Sequence, residues 1–376
     1  MSKDRSLFIL FSVVALDLVG FGIVMPILPF YAEQYGANAA VLGLLLTSYS
    51  AMQFLFSPVW GRFSDRFGRK PTLILTIAGS CLSLVLLGLA HSLTVIFLGR
   101  LLSGVFAANI SVASATVTDI TTDENRSKGM GLIGAAFGIG FLLGPMLGGI
   151  LSPYGYHIPI LTAAGLSVIN MVYASRYLRE PARHNPKEEA VIKTAVLADR
   201  SVARMCLIYF IFTLSITQLE STFAFFMMDR FAYSAKQVGW LLALMALVMI
   251  AVQGGLIRRL THRFGEQKLL LVGTSILAIA FLLIPSAPSI LLLIIPLLFA
   301  SLGRGISQPS LLSLVSKKAL PQVRGAVMGT FQASTSLGRV IGPVFAGLLY
   351  DHWHSSPYYL AAGLMGLVLI ISANRA

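Results

Sequence analysis

Charged residues are scarce in this chain. They make up 11% of its 376 residues, whereas a soluble globular domain has about 25%. Acids are the scarcer sign, with 15 Asp and Glu against 28 Lys and Arg. Hydrophobic residues reach 56% and form runs that are each long enough to cross a bilayer as a helix of roughly 20 residues. The scarcity of charge excludes an ordinary soluble domain and predicts an all-α membrane protein with many transmembrane helices.

Cysteine and histidine are scarce as well. The chain has 2 Cys and 6 His, and Cys81 and Cys206 both lie in apolar segments, where a buried thiol is ordinary. This excludes a disulfide framework. The sequence contains no His, Cys and acid cluster with metal spacing, no nucleophile with a base and no phosphate-binding loop. We therefore expect no metal, no cofactor, no enzyme activity and no direct use of ATP.

The apolar runs predict twelve transmembrane spans. Short polar segments separate most of them, as in chains that cross the membrane repeatedly. The spans cover approximately residues 7–31, 41–61, 72–91, 94–119, 126–151, 157–177, 203–227, 237–257, 268–286, 289–315, 325–350 and 356–374.

The positive charge is distributed unevenly between the two sides of these spans. With the N-terminus inside, all but five of the 28 Lys and Arg lie on the inner side. Of these five, Arg230 and Lys236 lie outside, and Arg100, Arg304 and Arg339 lie within spans. This asymmetry follows the positive-inside rule and predicts cytoplasmic termini. It accounts for the net charge of +13 without a nucleic-acid partner, and we expect none.

The chain contains two similar halves. "RSKGMGLIGAAFGIGFLLGPMLGGIL" from Arg126 resembles "RGAVMGTFQASTSLGRVIGPVFAGLL" from Arg324, an offset of 198, and "FSDRFGRK" (63–70) is echoed by "LTHRFGEQ" (260–267). We predict an N-terminal six-helix bundle (1–177), a cytoplasmic linker (178–202) and a C-terminal six-helix bundle (203–376), together forming a pseudo-two-fold repeat. Parallel six-span repeats occur in transporters with a substrate site at the midplane between the halves.

Four motifs resemble those of the major facilitator superfamily. "GRFSDRFGRK" (61–70) resembles its signature loop between spans 2 and 3, and "GRLLSGVFAA" (99–108) resembles its fourth-helix motif. "GFLLGPMLGG" (140–149) resembles the fifth-helix motif associated with antiporters, and "LDLVGFGIVMPILP" (16–29) resembles the first helix of the twelve-span drug:proton antiporters. Together they look most like the tetracycline-efflux branch, over nearly the whole chain.

The resemblance implies export of a lipophilic or amphipathic small molecule, driven by inward proton flow. The expected partners are the substrate, protons and the lipid bilayer of a bacterial inner (plasma) membrane, and we expect a monomer. Export of a specific metabolite, such as a sugar or siderophore-like compound, and uniport are the alternatives within transport. A transport-inactive receptor or scaffold on the same fold is the alternative outside it, although the intact motif loops and buried carboxylates weigh against it.

The loop between spans 2 and 3 is a candidate gate. Asp65 is an acid in a cationic loop, and it faces the positive end of the span 3 helix dipole. Asp119 faces the negative end of its own helix and needs cations nearby. The resemblance implies a charge network that closes the inner side, and the alternative is solvated charges that only fix the topology. The second-half echo has His262 in place of Asp65. The predicted gating residues are Gly61, Asp65, Arg66, Gly68, Arg69 and Asp119, with the two glycines allowing a sharp turn.

Glycines recur every four residues in span 5. Gly140, Gly144 and Gly148 share one helix face, and with Pro145 they form the antiporter-like motif. Small residues at this spacing let helix backbones approach closely, and a proline favours a bend. The functional interpretation is a tight, bent interface that prevents leak, and ordinary helix packing is the alternative. The pattern recurs in span 11 at Gly338, Gly342 and Ala346.

Acids within the spans are costly in lipid and are candidate functional residues. Asp17 lies about eleven residues into span 1, roughly 16 Å deep and near the midplane. Low dielectric there disfavours the charged form, which suits reversible proton binding, and a structural carboxylate is the alternative. Glu220 lies roughly 25 Å from the inner face in span 7. It indicates cation binding or a proton relay, and the alternative is a wetted outer residue.

Arginines within the spans are candidates too. Arg100 lies roughly 12 Å further out than Asp17, so the sequence leaves open a direct pair or an effect on Asp17 through Asn109 or water. Arg304 indicates a central cation, with pairing to a carbonyl or snorkelling as the alternative, and the partner of Arg339 is not evident. The predicted proton-coupling residues are Asp17, Glu220 and Arg100, and the predicted substrate cavity contains Asp17, Asn109, Gln218, Glu220, Arg304 and Gln308.

Span 3 departs from the tetracycline pumps. Those pumps carry an acid within this span, whereas "GSCLSLVLLG" (79–88) has none and Ser83 stands at that place. Recognition of tetracycline–metal chelates is therefore not implied by these residues.

Overall fold

The chain is mostly helical in the ranges that a computed structural model describes, which are residues 3–121, 123–181, 200–318 and 324–373. Within these ranges the α-helices are α1 (Lys3–Glu33), α2 (Ala39–Phe67), α3 (Arg69–Gly88), α4 (Leu93–Val105), α5 (Asn109–Ile120), α6 (Asp123–Leu151), α7 (His157–Tyr177), α8 (Arg200–Phe231), α9 (Ala235–Ala251), α10 (Ile257–Phe264), α11 (Glu266–Leu283), α12 (Ile290–Lys318), α13 (Arg324–His352) and α14 (Ser356–Ala373). A short 3₁₀ turn follows α6, and a π-helical turn (Val252–Leu256) joins α9 to α10.

The helices confirm the all-α membrane architecture. Eleven segments of the described chain are long and apolar enough to cross a membrane. As helices they also satisfy their own backbone hydrogen bonds, which hydrocarbon requires. The remaining predicted span, 325–350, coincides with α13, which is rich in small and hydroxyl residues.

The described residues group into two compact units. One comprises Met1–Ala37, Ser48–Asn185 and Met227–Leu244, and the other comprises Asn38–Thr47, Pro186–Phe226 and Met245–Ala376. Each unit therefore includes helix ends from both halves of the sequence. The division into two six-helix bundles stays a prediction, and most of the predicted linker (182–199) lies outside the described residues.

The fourth span is broken, although the sequence predicts one continuous helix over 94–119. α4 ends at Val105 and α5 begins at Asn109. Breaking a helix frees backbone carbonyls, and in a membrane these need partners from neighbouring helices. Trp60 donates its indole N–H to the Val105 carbonyl at 2.6 Å, and Gln53 donates to the Ala107 carbonyl at 3.0 Å. Two side chains of α2 thus stabilise the break.

The signature loop forms one sharp turn. Gly68 separates α2 from α3 with φ of 110°, a conformation that favours glycine. Gly265 has φ of 76° at the matching place between α10 and α11. Gly61 lies within α2, six residues before its end at Phe67, so the predicted turn role of Gly61 is wrong. Helical geometry tolerates glycine there, and a single glycine is enough for the turn.

Candidate functional site

Asp17 contacts the fourth span at the break between α4 and α5. It is half-buried on α1, and its Oδ1 accepts a hydrogen bond of 2.7 Å from Nδ2 of Asn109. Asn109 is the first residue of α5, so the carboxylate lies near the N-terminus of a half-helix. Unpaired N–H groups and the helix dipole make this position favourable for a negative charge. Asn109 is itself buried, and its Oδ1 has no hydrogen-bond partner.

Arg100 lies apart from Asp17. The side chain is buried, its guanidinium stacks over the Tyr49 ring at 4.3 Å, and its Nε has no hydrogen-bond partner. The described residues contain no ion pair to Arg100. The contact through Asn109 that the sequence left open is therefore present only on the Asp17 side.

The second half contains a half-buried ion pair. Nη1 of Arg304 on α12 lies 2.6 Å from Oε1 of Glu220 on α8, and both side chains are 24% exposed. Arg339 on α13 lies within electrostatic range of Glu220, but the described residues contain no ion pair between the two. The alternative that Arg304 pairs only with a carbonyl is wrong.

The two glutamines of the predicted cavity lie on the same helices as this pair. Gln218 is buried and donates to the Gly342 carbonyl at 3.3 Å, while its Oε1 has no partner. Gln308 is half-buried one turn beyond Arg304 on α12.

Arg69 joins the two predicted gating acids. Its Nη1 lies 2.7 Å from Asp65 Oδ1, and its Nε lies 2.7 Å from Asp119 Oδ2. Nη1 also donates to Ser64 Oγ at 2.9 Å. Asp119 is 15% exposed and Asp65 is 50% exposed, so the Arg69–Asp119 pair is the better shielded from water. Arg66 lies elsewhere, with its guanidinium 5.3 Å from the Phe67 ring.

Glu180, which was not predicted from the sequence, binds the start of α3 beside this cluster. Its two carboxylate oxygens accept hydrogen bonds from the backbone N–H groups of Arg69 at 2.6 Å and Lys70 at 2.8 Å. These are the first groups of α3, where unpaired N–H donors and the helix dipole attract an anion. The only available signal was an isolated acid in "LREP" just after α7.

The glycine ladders pack against different helices. A Cβ on Gly144 would lie 2.6 Å from the carbonyl carbon of Gly22 on α1, so only a missing side chain permits this approach. Gly140 and Gly148 also contact the α1 backbone. Gly338 and Gly342 of α13 lie instead beside threonine side chains of α8. Close packing is thus present in both halves, and its functional role stays a prediction.

Ser83 links span 3 to span 4. It accepts a hydrogen bond of 2.9 Å from the Ser103 hydroxyl and donates to the Ser80 carbonyl at 2.7 Å. The place of the missing acid is therefore filled by a buried neutral pair between α3 and α4.

The chain matches a known protein family over most of its length. A family model described as "Major Facilitator Superfamily" matches residues 10–325 and 205–374. The chain belongs to the Major Facilitator Superfamily. Members of this superfamily are transporters, which places the chain among transporters rather than enzymes.

Two relatives within the superfamily are named for drug resistance. The chain is 30% identical to the tetracycline resistance protein, class B, of Escherichia coli, over 95% of this chain and 92% of that protein. It is 29% identical to multidrug resistance protein 2 of Bacillus subtilis (strain 168), over 99% and 94% of the two chains. These relatives support the tetracycline-efflux-like branch of the superfamily.

A solved structure supports the fold. The crystal structure of the human organic anion transporter MFSD10 (TETRAN) is similar with a TM-score of 0.77 and 28% identity, covering 99% of this chain and 100% of that one.

Proposed function

We propose that this protein is a proton-coupled antiporter that exports lipophilic or amphipathic small molecules by alternating access. Two kinds of support exist. Its relatives are named as tetracycline and multidrug resistance proteins, and its spans contain the titratable side chains that proton exchange needs. The proposed location is the bacterial inner membrane, with both termini in the cytoplasm, because the Lys and Arg residues lie on one side.

The main support for proton coupling is the environment of Asp17. The carboxylate is held by the neutral amide of Asn109 and has no ion pair within the described chain. A carboxylate without a cation partner can lose its charge by taking a proton and leaves no buried cation behind, in contrast to an ion-paired acid. Proton binding at Asp17 would then bias the two access states through its differential affinity for them.

Glu220 and Arg100 are proposed to assist. Because Glu220 is paired with Arg304, protonating Glu220 would release the Arg304 cation, so Glu220 suits a relay that acts together with its partner. Arg100 is proposed to influence Asp17 by its field, since no bonded path joins them in the described residues. The proposed substrate contacts are Asn109 beside Asp17 in one unit, and Gln218, Arg304 and Gln308 on the two helices of the Glu220 pair in the other.

The Arg69 cluster is proposed as the inner gate. A guanidinium held by Asp65 and Asp119 joins the inner ends of α2, α3 and α5, and breaking it would free these ends to separate. The turn at Gly68 keeps α2 and α3 close, and the glycine ladder with Pro145 is proposed to limit leak along α1 and α6.

Liposomes with an imposed pH gradient test this proposal. Wild-type protein should concentrate an exported dye against its gradient and move protons in exchange. Asp17→Asn mimics the protonated acid permanently, so it should keep downhill exchange and lose uphill transport. If Asp17→Asn still concentrates the dye and moves protons as wild type does, Asp17 is structural. A uniporter would show downhill transport without proton movement even in the wild type.

A further inference from the structure

Among the described residues, Arg100 is a buried cation with no anion paired to it. It is 6% exposed, and its Nε has no hydrogen-bond partner. An uncompensated charge removed from water costs several kcal/mol, whereas stacking on one aromatic ring returns about 2 kcal/mol at most. The Tyr49 ring at 4.3 Å therefore leaves most of this cost unbalanced.

Arg304 shows what a compensated arginine looks like in the same chain. It is more exposed than Arg100, yet Glu220 lies 2.6 Å from it. The protein thus supplies an anion to the better solvated arginine and none, among the described residues, to the more deeply buried one. An external anion would complete the environment of Arg100.

Asp17 has the opposite deficit. Its carboxylate has a neutral hydrogen-bond partner, Asn109, and no cation. Asn109 also marks the level of Asp17 along the fourth span. Arg100 lies nine residues earlier in this span, roughly 13 Å along the axis. Within the described residues, the same unit therefore holds an acid lacking a cation and a cation lacking an acid, about two and a half helical turns apart.

Aromatic side chains lie between these two charges. Phe21 is one turn beyond Asp17 on α1, and its ring centroid lies 5.7 Å from that of Tyr49. Tyr49 in turn stacks on Arg100. Asp17, Phe21 and Tyr49 are all half-buried, while α1 is otherwise largely buried. The half-buried positions on α1 thus present an acid and an aromatic ring on one face.

We propose that Asp17 and Arg100 are the two charged ends of a site for a zwitterionic aromatic amphiphile. The cationic group of the substrate meets Asp17, its carboxylate or other oxyanion meets Arg100, and its aromatic body lies against Phe21 and Tyr49. This inference rests on the proposed function and specifies its substrate class. It also preserves exchange, because the substrate cation and a proton compete for the same Asp17 carboxylate.

Two dyes that differ at one group test the proposal. Rhodamine 110 has a cationic ring system and a free carboxylate, and rhodamine 123 is its methyl ester without the anion. Binding is measured by fluorescence anisotropy on purified protein in nanodiscs, at one pH, without a gradient, and empty nanodiscs are subtracted. Wild type should bind rhodamine 110 at least about tenfold more tightly than rhodamine 123, as one retained buried charge pair predicts.

Variants assign this preference to Arg100. Arg100→Gln should bring the ratio of the two dissociation constants close to one, and Arg100→Lys should keep part of it. Arg176→Gln, an exposed inner-end control, should leave the ratio as in wild type. Size-exclusion profiles and melting temperatures show that each variant is folded. No preference in wild type, undetectable rhodamine 110 binding, or an undiminished ratio in folded Arg100→Gln overturns the proposal.

The outcome separates from that of the proposed function. Proton coupling is read in liposomes and charge preference in nanodiscs without a gradient. A missing preference alongside Asp17-dependent proton exchange defeats only the substrate assignment. A clear preference alongside no proton exchange defeats only the antiport.

Discussion

The two halves of this protein contain the same pair of buried charges in different arrangements. In the second half, Glu220 and Arg304 form an ion pair with atoms 2.6 Å apart. In the first half, Asp17 bonds to Asn109 and Arg100 stacks on Tyr49, and no ion pair joins the two. One half neutralises its charges internally, and the other leaves both available.

The difference follows from register. With the repeat offset of 198, Asp17 corresponds to Ser215, and Arg100 corresponds to Leu298. Glu220 is five residues beyond Ser215, about 7.5 Å, and Arg304 is six beyond Leu298, about 9 Å. Because these two spans run in opposite directions, the two displacements bring acid and base toward one level. The two halves of a repeat can therefore both contain an acid and an arginine and still use them differently, because the residues lie at different positions along their helices.

Removing one partner of the second-half pair should have the largest effect. Glu220→Gln leaves Arg304 buried without its anion, which typically costs about 3 kcal/mol or more. Arg339 would also lose the electrostatic attraction of the Glu220 carboxylate. Asp17→Asn leaves no unpaired charge, so it should cost roughly 1.5 kcal/mol or less. Thermal unfolding of the purified proteins in detergent measures both.

A double-mutant cycle sharpens this comparison. Glu220→Gln combined with Arg304→Gln should be more stable than Glu220→Gln alone, because no unpaired charge remains. Equal stabilities of Glu220→Gln and Asp17→Asn would contradict the distinction between a paired and an unpaired acid.

The glycine ladders offer a second matched comparison. Gly140 and Gly338 occupy equivalent places, but their surroundings differ in tightness. A Cβ on Gly140 would lie 2.5 Å from Leu18 Cβ and 2.8 Å from the Leu18 carbonyl carbon, whereas a Cβ on Gly338 would lie 3.1 Å from Thr213 Cβ and 3.2 Å from the Phe210 carbonyl oxygen. Backbone atoms of α1 cannot move without moving the helix. Gly140→Ala should therefore cost about 1–3 kcal/mol, and Gly338→Ala less. The same melting experiment decides, and a larger loss for Gly338→Ala would reverse the argument.

Much of this architecture follows from the sequence alone. The length of the apolar runs predicts the membrane helices, because in hydrocarbon each segment must satisfy its own backbone hydrogen bonds. Glycine spacing identifies close-packed faces, although the partner helices are not apparent. The Arg69 contacts follow from an acid, Asp119, placed at an unfavourable helix end.

The remaining features depend on contacts between distant residues. Nothing in "FAAN" (106–109) predicts a helix break, because the bonds that stabilise it come from Gln53 and Trp60 on another helix. Arg339 could not be assigned to Glu220, since the residues are 119 positions apart in sequence. Glu180 is separated from the helix start that it binds by 110 positions.

The predicted gate also differs between halves. Asp65 and Asp119 both bind Arg69, whereas His262 occupies the matching second-half position and is exposed. Asp119→Asn should lower the rate of export more than Asp65→Asn, because the Asp119 pair is less exposed and less screened by water. His262→Asn should have a smaller effect than either. Initial export rates at equal protein in the membrane test this order, and equal rates for Asp119→Asn and wild type would exclude the cluster as a gate.

The smallest effect concerns two carboxylates that bind helix starts. Glu180 accepts from the first N–H groups of α3, and Asp351 at the end of α13 accepts from Ala39 N at 3.1 Å and Ala40 N at 3.0 Å at the start of α2. Glu180 replaces the side-chain cap that Gly68 cannot provide. At α2, Asp351 adds to the cap from Asn38, whose Oδ1 accepts from Val41 N at 3.0 Å. Asp351→Ala should therefore cost about 1 kcal/mol, while Asp351→Asn keeps an acceptor oxygen and should cost less.

Hydrogen exchange locates this effect. In Asp351→Ala, exchange should accelerate at the amides of Ala39 and Ala40 and not at Arg69, because Glu180 still binds the start of α3. Glu180→Ala should give the reverse pattern, so each variant serves as the control for the other. Unchanged exchange at Ala39 in a folded Asp351→Ala protein would mean that water replaces the carboxylate without loss. The position would then be a solvated helix end, and Asp351 would contribute nothing to joining α13 with α2.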